Sequence, residues 1–234
     1  MLLLAIDTSG KLGSIALARA GERSAADDDN DNDAEVIEVM PLAGGTFSAQ
    51  LVPQIAELLS RRGFTKNDIG AFVVGSGPGS FTGLRIGLAA VKALAEVLDK
   101  PIAPVSLLEV CVFTGTARGK VMAALDAGRG DVYIGEYEVP IDASQLQQVR
   151  QDMLSRSEFL SQGKGWTVVT PDSTLAEASV AAGLSVSILA AISAADVARL
   201  GWRKIQAGKT VAPDRLEANY IRRTDAEMQE KIGS

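Results

Sequence analysis

The sequence predicts an α/β protein with mixed sheets, and three observations support that class. Short apolar runs typical of buried strands alternate with longer segments of helical spacing through the whole 234-residue chain. Glycine-rich or polar turns separate these segments. Hydrophobic residues make up 47% of the chain and charged residues 22%, the ordinary balance of a globular protein. A chain of this length can bury one large core or two smaller ones.

The first hundred residues predict a strand-rich sheet with two helices. The predicted strands, each a short apolar or alternating run, cover residues 2–6, 14–18, 35–40 and 71–74. The first two strands flank the glycine-containing turn 8–13, so we expect a hairpin. Helical spacing of leucine and isoleucine predicts a helix over 47–62 that ends at Gly63. A longer helix follows the glycine-rich turn 75–83 and extends to about Leu98.

The second half repeats the alternation of strands and helices. The predicted helices cover residues 107–113, 175–182 and 194–207, and the predicted strands cover 121–125, 131–139, 166–170 and 186–189. Pro101 and Pro104 mark a break between the two halves. We therefore expect an N-terminal lobe over 1–105 and a C-terminal lobe over 106–234, with a tail from about residue 213 that can dock back on the first lobe.

The absence of histidine from the chain excludes several kinds of catalysis. Neither a Ser-His-Asp nor a Cys-His nucleophile can form, and no zinc or iron site can use an imidazole ligand. The single cysteine, Cys111, can make neither an internal disulfide nor a cysteine-based zinc site. We expect Cys111 to be buried packing, the chain to hold no metal, and its compartment to be the reducing cytoplasm.

The formal net charge of −6 comes mostly from five aspartates within residues 27–33. Outside that run acids and bases nearly balance, which argues against a large basic face for nucleic acid. The run places acids at ligand positions of an EF-hand loop, but Asn32 stands where such a loop needs glycine. We therefore expect a solvated loop over 21–33. The apolar start of the chain is short and ends at Asp7, so it predicts neither a signal peptide nor a membrane span.

The densest motif is the glycine-rich segment 75–87, which follows a predicted strand and opens a predicted helix. Anions bind at this position in many α/β proteins. The segment has neither the Gly-Lys-Ser/Thr of a Walker A loop nor the third glycine of a dinucleotide fingerprint. A second candidate is Asp7-Thr8-Ser9, where a predicted strand ends. These residues could form a phosphate or metal-water site, or a hairpin turn in which Asp7 accepts backbone N–H groups.

Two apolar stripes run along the helix that follows the glycine-rich segment, so two of its faces need partners. Small residues form one stripe and large residues form the other: Gly83, Gly87 and Ala90, and Leu84, Leu88, Val91 and Leu98. One stripe can cover the sheet of the same lobe. The small stripe allows close approach by another helix, either the internal helix 47–62 or a helix of a partner subunit, and both interpretations stay open.

Three motifs in order along the chain resemble the TsaB (YeaZ) family. They are Ala5–Ser9, Gly77–Gly87 and Asn219–Arg222, and the glycine motif is the most specific. The resemblance is thinnest over residues 140–210. It implies a two-lobed, actin-like or Hsp70-like ATPase fold with RNase H-like topology. It also implies a non-catalytic subunit that binds and activates TsaD for N6-threonylcarbamoylation of adenosine 37 in tRNAs that read codons starting with A.

Partners and cofactors also follow from the resemblance. In this family TsaD carries a histidine-rich metal motif and performs the transfer, and the ATPase TsaE joins the pair. The resemblance implies a homodimer when the chain is alone, tRNA contact only through the complex, no membrane, and no intrinsic cofactor, with ATP acting at the level of the complex. It places the partner interface at Phe81, Gly83, Leu84, Arg85, Gly87, Leu88 and Val91. Asp7, Thr8 and Ser9 would then form a vestigial nucleotide site.

The sequence departs from the family pattern at three places. Phe47-Ser48 stands where the family often has a histidine before a serine. The family's Asp-Ala-Arg turn reads Asp126-Ala127-Gly128-Arg129 here, and Asp131 replaces the glutamate that follows it. The loop 21–33 has the character of a lineage-specific insertion.

One other function stays open beside the accessory subunit, and a peptidase is a third interpretation that the residues do not support. An enzyme of the same fold, such as a small-molecule kinase or ATPase, would use Asp7 to organise Mg²⁺ and water around a nucleotide. A peptidase of the glycoprotease type (the M22 family) would need a set of metal ligands or an activated nucleophile, and the sequence offers neither.

Overall fold

The computed structural model describes residues 1–21, 34–141 and 146–221. The acidic run with its calcium interpretation lies outside these ranges, and so does Arg222, the last residue of the third family motif. Within the described ranges no helix is both long and apolar enough to cross a membrane.

Ten strands and six α-helices form within the described residues, most of them close to the predicted ends. The strands are β1 (Leu2–Asp7), β2 (Gly13–Arg19), β3 (Glu35–Leu42), β4 (Ile69–Gly77), β5 (Ile102–Ser106), β6 (Gly119–Gly128), β7 (Asp131–Val139), β8 (Gln147–Ser155), β9 (Thr167–Thr170) and β10 (Ser185–Ile188). The helices are α1 (Phe47–Arg61), α2 (Phe81–Leu98), α3 (Leu107–Thr114), α4 (Arg156–Gln162), α5 (Ser173–Ala181) and α6 (Ala194–Gln206).

The chain forms two compact units. Of the described residues, the first unit contains those within 1–110 and 192–218, and the second contains those within 111–191 and 219–221. The sequence predicted residues 106–234 as the second lobe, with a tail from about residue 213 that can dock back on the first. The structure places α6 as well as residues 213–218 in the first unit, where Leu216 is buried in the core.

The first unit is built on a five-stranded sheet in the order β3-β2-β1-β4-β5. Strands β1, β2 and β3 are antiparallel neighbours, whereas β4 and β5 run parallel to β1. Helices α1 and α2 cover the face to which Phe72 and Val74 point. Helix α6 packs on the other face, where Gly201 lies against Val73. Because both faces are covered, β1 is buried at every position, and it is apolar from Leu2 to Ile6, before Asp7 at its end.

Helix α6 belongs to the first unit because its buried side is made of small and apolar residues that fit closely on the sheet. Its buried members are Ala194, Ala195, Val197, Ala198, Leu200 and Gly201. The Ser14 hydroxyl of β2 accepts the backbone N–H of Ala194 at 2.8 Å and so satisfies one of the open donors at the start of the helix. These two residues are 180 positions apart, so local sequence patterns carry no trace of the contact.

The prolines at 101 and 104 do not mark a break between lobes. Residues 102–106 form β5, which pairs in parallel with β4 and places Pro104 beside Val74. This strand lies at the edge of the sheet, where a missing backbone N–H is tolerated. A single antiparallel bridge between Ile102 and Val211 follows on its outer side.

The second unit contains a five-stranded sheet in the order β10-β9-β6-β7-β8. Strands β6 and β7 form an antiparallel hairpin, and β9 runs parallel to β6. The core beside this sheet includes Met122, Phe159 and Val168. Local sequence patterns predicted neither β8 nor α4. Strand β8 is largely polar and has no apolar alternation.

A buried carboxylate in the second unit is held by one arginine. Glu136 of β7 is 7% exposed, and the Arg150 guanidinium of β8 donates to it at 2.7 Å. The same guanidinium donates to Gln162 at 2.6 Å and lies 3.4 Å from Asp152. The pair therefore fastens β8 to β7 in addition to the backbone ladder.

We expect Arg150→Met to lower the free energy of unfolding by about 2 kcal/mol, because Glu136 stays buried without its partner. Adding Glu136→Gln should recover at least half of that loss, since the uncharged amide is easier to bury. The control is Asp152→Asn, whose exposed carboxylate should matter by no more than about 0.5 kcal/mol. Urea denaturation of the four proteins measures these values, and equal losses for Arg150→Met and Asp152→Asn would contradict the assignment.

Candidate functional site

Asp7 lies at the C-terminal end of β1, buried beside β4. Only 6% of its surface is exposed, and a Cβ atom added at Gly75 would lie 2.9 Å from its Oδ1. The Ser9 backbone N–H donates to Asp7 Oδ1 at 3.0 Å, which is the hydrogen bond of an Asx turn. Burial raises the pKa of the Asp7 carboxyl, and hydrogen bonds from Ser9 oppose that rise. The sequence left open a phosphate or metal-water site and a hairpin turn in which Asp7 accepts backbone N–H groups. The observed geometry is that of the hairpin turn.

The turn after β1 holds the N-terminal end of α2. The Thr8 hydroxyl donates to the Gly83 carbonyl oxygen at 2.7 Å, and the Ser9 carbonyl oxygen accepts the Ser80 backbone N–H at 2.7 Å. Ser80 is the N-cap residue, and its hydroxyl accepts the backbone N–H of Gly83. The first turn of α2 is therefore tied to β1 on both sides of Phe81.

Three glycines in α2 and just before it lie so close to this turn that no side chain fits at their positions. A Cβ atom at Gly83 would lie 2.0 Å from the Thr8 carbonyl oxygen, and one at Gly87 would lie 2.4 Å from Thr8 Oγ1. A Cβ atom at Gly79 would lie 2.6 Å from the Ser9 carbonyl oxygen. The two glycines of the small-residue stripe thus pack on a turn of their own chain, a contact that differs from both interpretations of the stripe.

The seven predicted interface residues divide into two sets. Five of them are buried in the first unit: Gly83, Leu84, Gly87, Leu88 and Val91. The three apolar ones, Leu84, Leu88 and Val91, belong to its core. Phe81 and Arg85 are exposed, Phe81 over 53% of its surface, and the Arg85 guanidinium lies 3.7 Å from the centre of the Phe81 ring. These two residues alone of the seven can meet another molecule while the first unit stays closed.

An outer row of exposed residues on α2 continues the surface of Phe81 and Arg85. Its members follow one another at intervals of four positions and are Phe81, Arg85, Ala89, Ala93 and Val97. Val97 keeps 75% of its surface exposed. The four-residue interval is present in the sequence. It does not stand out as an apolar stripe, because the row mixes one charged residue with small and large apolar ones.

The Asp7–Ser9 turn does not fit a nucleotide phosphate or its magnesium ion. A phosphate would use the Thr8 hydroxyl and the Ser9 N–H as donors, but these already donate to Gly83 and Asp7. The backbone of Gly83 also lies against Thr8 too closely for a single added carbon atom. In the part of the chain that the structure describes, no group of three or more histidine, cysteine, aspartate or glutamate side chains is placed to hold a metal ion.

Two of the three departures from the family pattern lie among the described residues, and the loop 22–33 does not. Phe47 is buried in the first core, and its ring lies 3.0 Å from where a Cβ atom at Gly13 would stand. Asp126 accepts the Gly128 backbone N–H at 3.1 Å in the β6–β7 hairpin, where Arg129 adopts a positive φ of 57°.

Burial raises the pKa of the Cys111 thiol to about 12, so the thiol is not reactive near neutral pH.

Comparison with known proteins places the chain in one family. The model of the family described as TsaD, tRNA N6-adenosine threonylcarbamoyltransferase, matches residues 39–208. Proteins described as tRNA threonylcarbamoyladenosine biosynthesis protein TsaB are similar. The one from Escherichia coli is 29% identical over 95% of this chain and 95% of its own length. The one from Haemophilus influenzae is 33% identical over 58% of this chain, and the chain spans about half, 53%, of that relative.

A solved structure of YeaZ from Pseudomonas aeruginosa has the same fold. It is 21% identical to this chain, with a TM-score of 0.68, and the match covers 94% of this chain and 99% of that one.

We expect Asp7→Asn to raise stability relative to the wild type as pH increases from about 4 toward neutrality. The raised pKa means that the folded wild type holds a proton which the unfolded chain releases, so the wild type loses stability over this range. Asparagine has no such loss and keeps the acceptor for Ser9. Melting temperatures across this pH range measure the difference.

Asp68→Asn is the control, because its stability relative to the wild type should change with pH in the opposite direction. Hydrogen bonds from Thr65 lower the pKa of the Asp68 carboxyl, so it stabilises the fold at neutral pH, and this contribution disappears as pH falls below its ordinary pKa. A difference between Asp7→Asn and the wild type that stays constant with pH would show that Asp7 is not a desolvated carboxyl.

We expect Gly83→Ala to destabilise the first unit by roughly 3 kcal/mol, the upper end for overpacking, because the added carbon meets backbone. The better helix propensity of alanine, about 1 kcal/mol, cannot offset this cost. Ala89→Leu, on the exposed side of the same helix, should change stability by no more than about 0.5 kcal/mol. Chemical denaturation measures both, and a neutral Gly83→Ala would refute the close contact with Thr8.

Proposed function

Because the chain belongs to the TsaB (YeaZ) family of tRNA threonylcarbamoyladenosine biosynthesis, we propose that it is a non-catalytic subunit that binds and activates TsaD. The reaction served is N6-threonylcarbamoylation of adenosine 37 in tRNAs that read codons starting with A. The two α/β units have the actin-like, RNase H-like fold expected for this family.

The exposed outer row of α2 is the observation that carries this proposal. Its middle members, Ala89 and Ala93, are small, and its ends, Phe81 and Val97, are large and exposed. Rows of residues spaced by four are the ridges by which helices pack on one another. Small residues in the middle allow close approach of a partner helix, while the large ends fill its grooves.

Helix α1 adds a further exposed apolar residue. It packs against α2, and its Val52 is 55% exposed. The outer row itself holds one charged residue, Arg85, among apolar ones, and few charges are typical of the centre of a protein interface. Phe81 and Arg85, stacked at one end, belong to residue types that are enriched at protein interfaces.

The chemistry of the reaction belongs to the partner in this proposal. The chain has no histidine, so a histidine-rich metal site must come from TsaD. The donors of the Asp7–Ser9 turn are engaged within the chain, which supports a subunit without a nucleotide of its own at this turn. We place ATP at the level of the complex, where TsaE joins.

The remaining expectations follow from the same surface. A homodimer of the isolated chain would use the outer row of α2, so TsaD and a second copy would compete for this surface. In this proposal tRNA meets the chain only through the complex, and the complex works in the cytoplasm.

Light scattering on a sizing column tests the pairing. We expect the chain mixed with TsaD from the same organism to form a 1:1 complex that replaces any homodimer. Ala93→Arg should weaken pairing at least tenfold, because it places a charged side chain in the middle of the outer row. Ala207→Arg, the same substitution at the exposed C-cap of α6, should pair like the wild type.

Activity then tests activation. TsaD should modify tRNA faster with the wild type or Ala207→Arg than alone, whereas Ala93→Arg should help only at high concentration. A wild type that ignores TsaD would overturn the proposal. Saturable ATP binding that Asp7→Ala abolishes would then favour the kinase or ATPase instead.

A further inference from the structure

Resting on the proposed function, we infer that Thr8 is a positioning residue for the partner-binding face of α2. It meets no partner itself, because it is buried and 2% exposed. Its hydroxyl acts on the first turn of the helix, through the hydrogen bond to the Gly83 carbonyl oxygen.

Two contacts of the turn lie on either side of Phe81, the first residue of the outer row. The Ser9 carbonyl oxygen fixes the backbone of Ser80, and the Thr8 hydroxyl fixes Gly83. Phe81 lies between these two points, and Arg85 stacks on its ring. The direction in which the Phe81 ring leaves the helix therefore depends on the turn that follows β1.

The position of the helix is constrained by space as well as by hydrogen bonds. The Thr8 carbonyl oxygen lies against Gly83, and its hydroxyl occupies the space that a side chain at Gly87 would need. The carbonyl oxygen of Thr8 therefore fills the space left by Gly83, and its hydroxyl fills the space left by Gly87 on the next turn of α2.

Removing the hydroxyl should loosen the first turn of α2 while the apolar core keeps the rest in place. Leu84, Leu88 and Val91 hold the helix on the sheet without Thr8. The free chain would then sample several directions of Phe81, and pairing would have to select one of them. Losing a preorganised anchor weakens binding even though no contact with the partner is lost.

The test compares Thr8→Val, which keeps the shape without the hydroxyl, with Thr8→Ser, which keeps the hydroxyl. We expect Thr8→Val to weaken pairing with TsaD by up to about fivefold, because the turn that the hydrogen bond ordered must be ordered again on binding. Thr8→Ser should stay within about twofold of the wild type. Binding is measured well below the melting temperature of every variant, so that partial unfolding does not contribute.

A double-mutant cycle separates positioning from general stability. In a Phe81→Ala background the effect of Thr8→Val should nearly vanish, because the residue being positioned is gone. In a Val97→Ala background, at the far end of the outer row, the effect should persist in full. Amide hydrogen exchange of the free chain should quicken at residues 81–84 in Thr8→Val and stay unchanged over 91–98.

Each outcome decides the inference. A wild type that does not pair with TsaD removes the proposed function and the positioning role with it. A wild type that pairs, together with a Thr8→Val variant that pairs equally well, leaves the function intact and overturns the role of Thr8. Equal coupling of Thr8 to Phe81 and to Val97 would also overturn it, because that result describes general destabilisation.

Discussion

The close contact between the turn after β1 and the N-terminal half of α2 is the constraint on which the rest of the first unit depends. Backbone atoms of the two segments approach so closely that no Cβ atom fits at Gly83, and the Thr8 hydroxyl leaves none at Gly87. This contact sets the height of α2 above the sheet. It thereby decides which residues of the helix fill the core and which form the outer row.

The same contact explains how a carboxyl group can be buried at the end of β1. Asp7 accepts the Ser9 N–H, Thr8 donates to Gly83, and Ser9 accepts from Ser80, so neighbouring polar groups satisfy one another. Buried polar groups are tolerated when they are paired in this way. A segment with the residue types of a phosphate site is here engaged in holding a helix.

This arrangement bears on how a protein of this fold can act through a surface. Its glycine-rich motif follows a strand and opens a helix, as phosphate loops do, but here the glycines serve packing between backbone segments. The helix is consequently held firmly on one side and exposed on the other. A rigidly packed helix with a largely apolar outer row suits a binding subunit, because a rigid surface loses little conformational entropy when it binds its partner.

The types of most elements were determined by the sequence alone, because hydrophobic periodicity and turn chemistry are local. Strand Asp131–Val139 was predicted to the residue, and the absence of histidine excluded whole classes of site through composition alone. The polar strand β8 was not predictable, since its conformation depends on pairing with β7. Only the tertiary structure decided the role of the glycines and the membership of α6. The reason is distance along the chain: Thr8 meets Gly83 across 75 positions and Ser14 meets Ala194 across 180, and no local pattern records which surfaces the fold brings together.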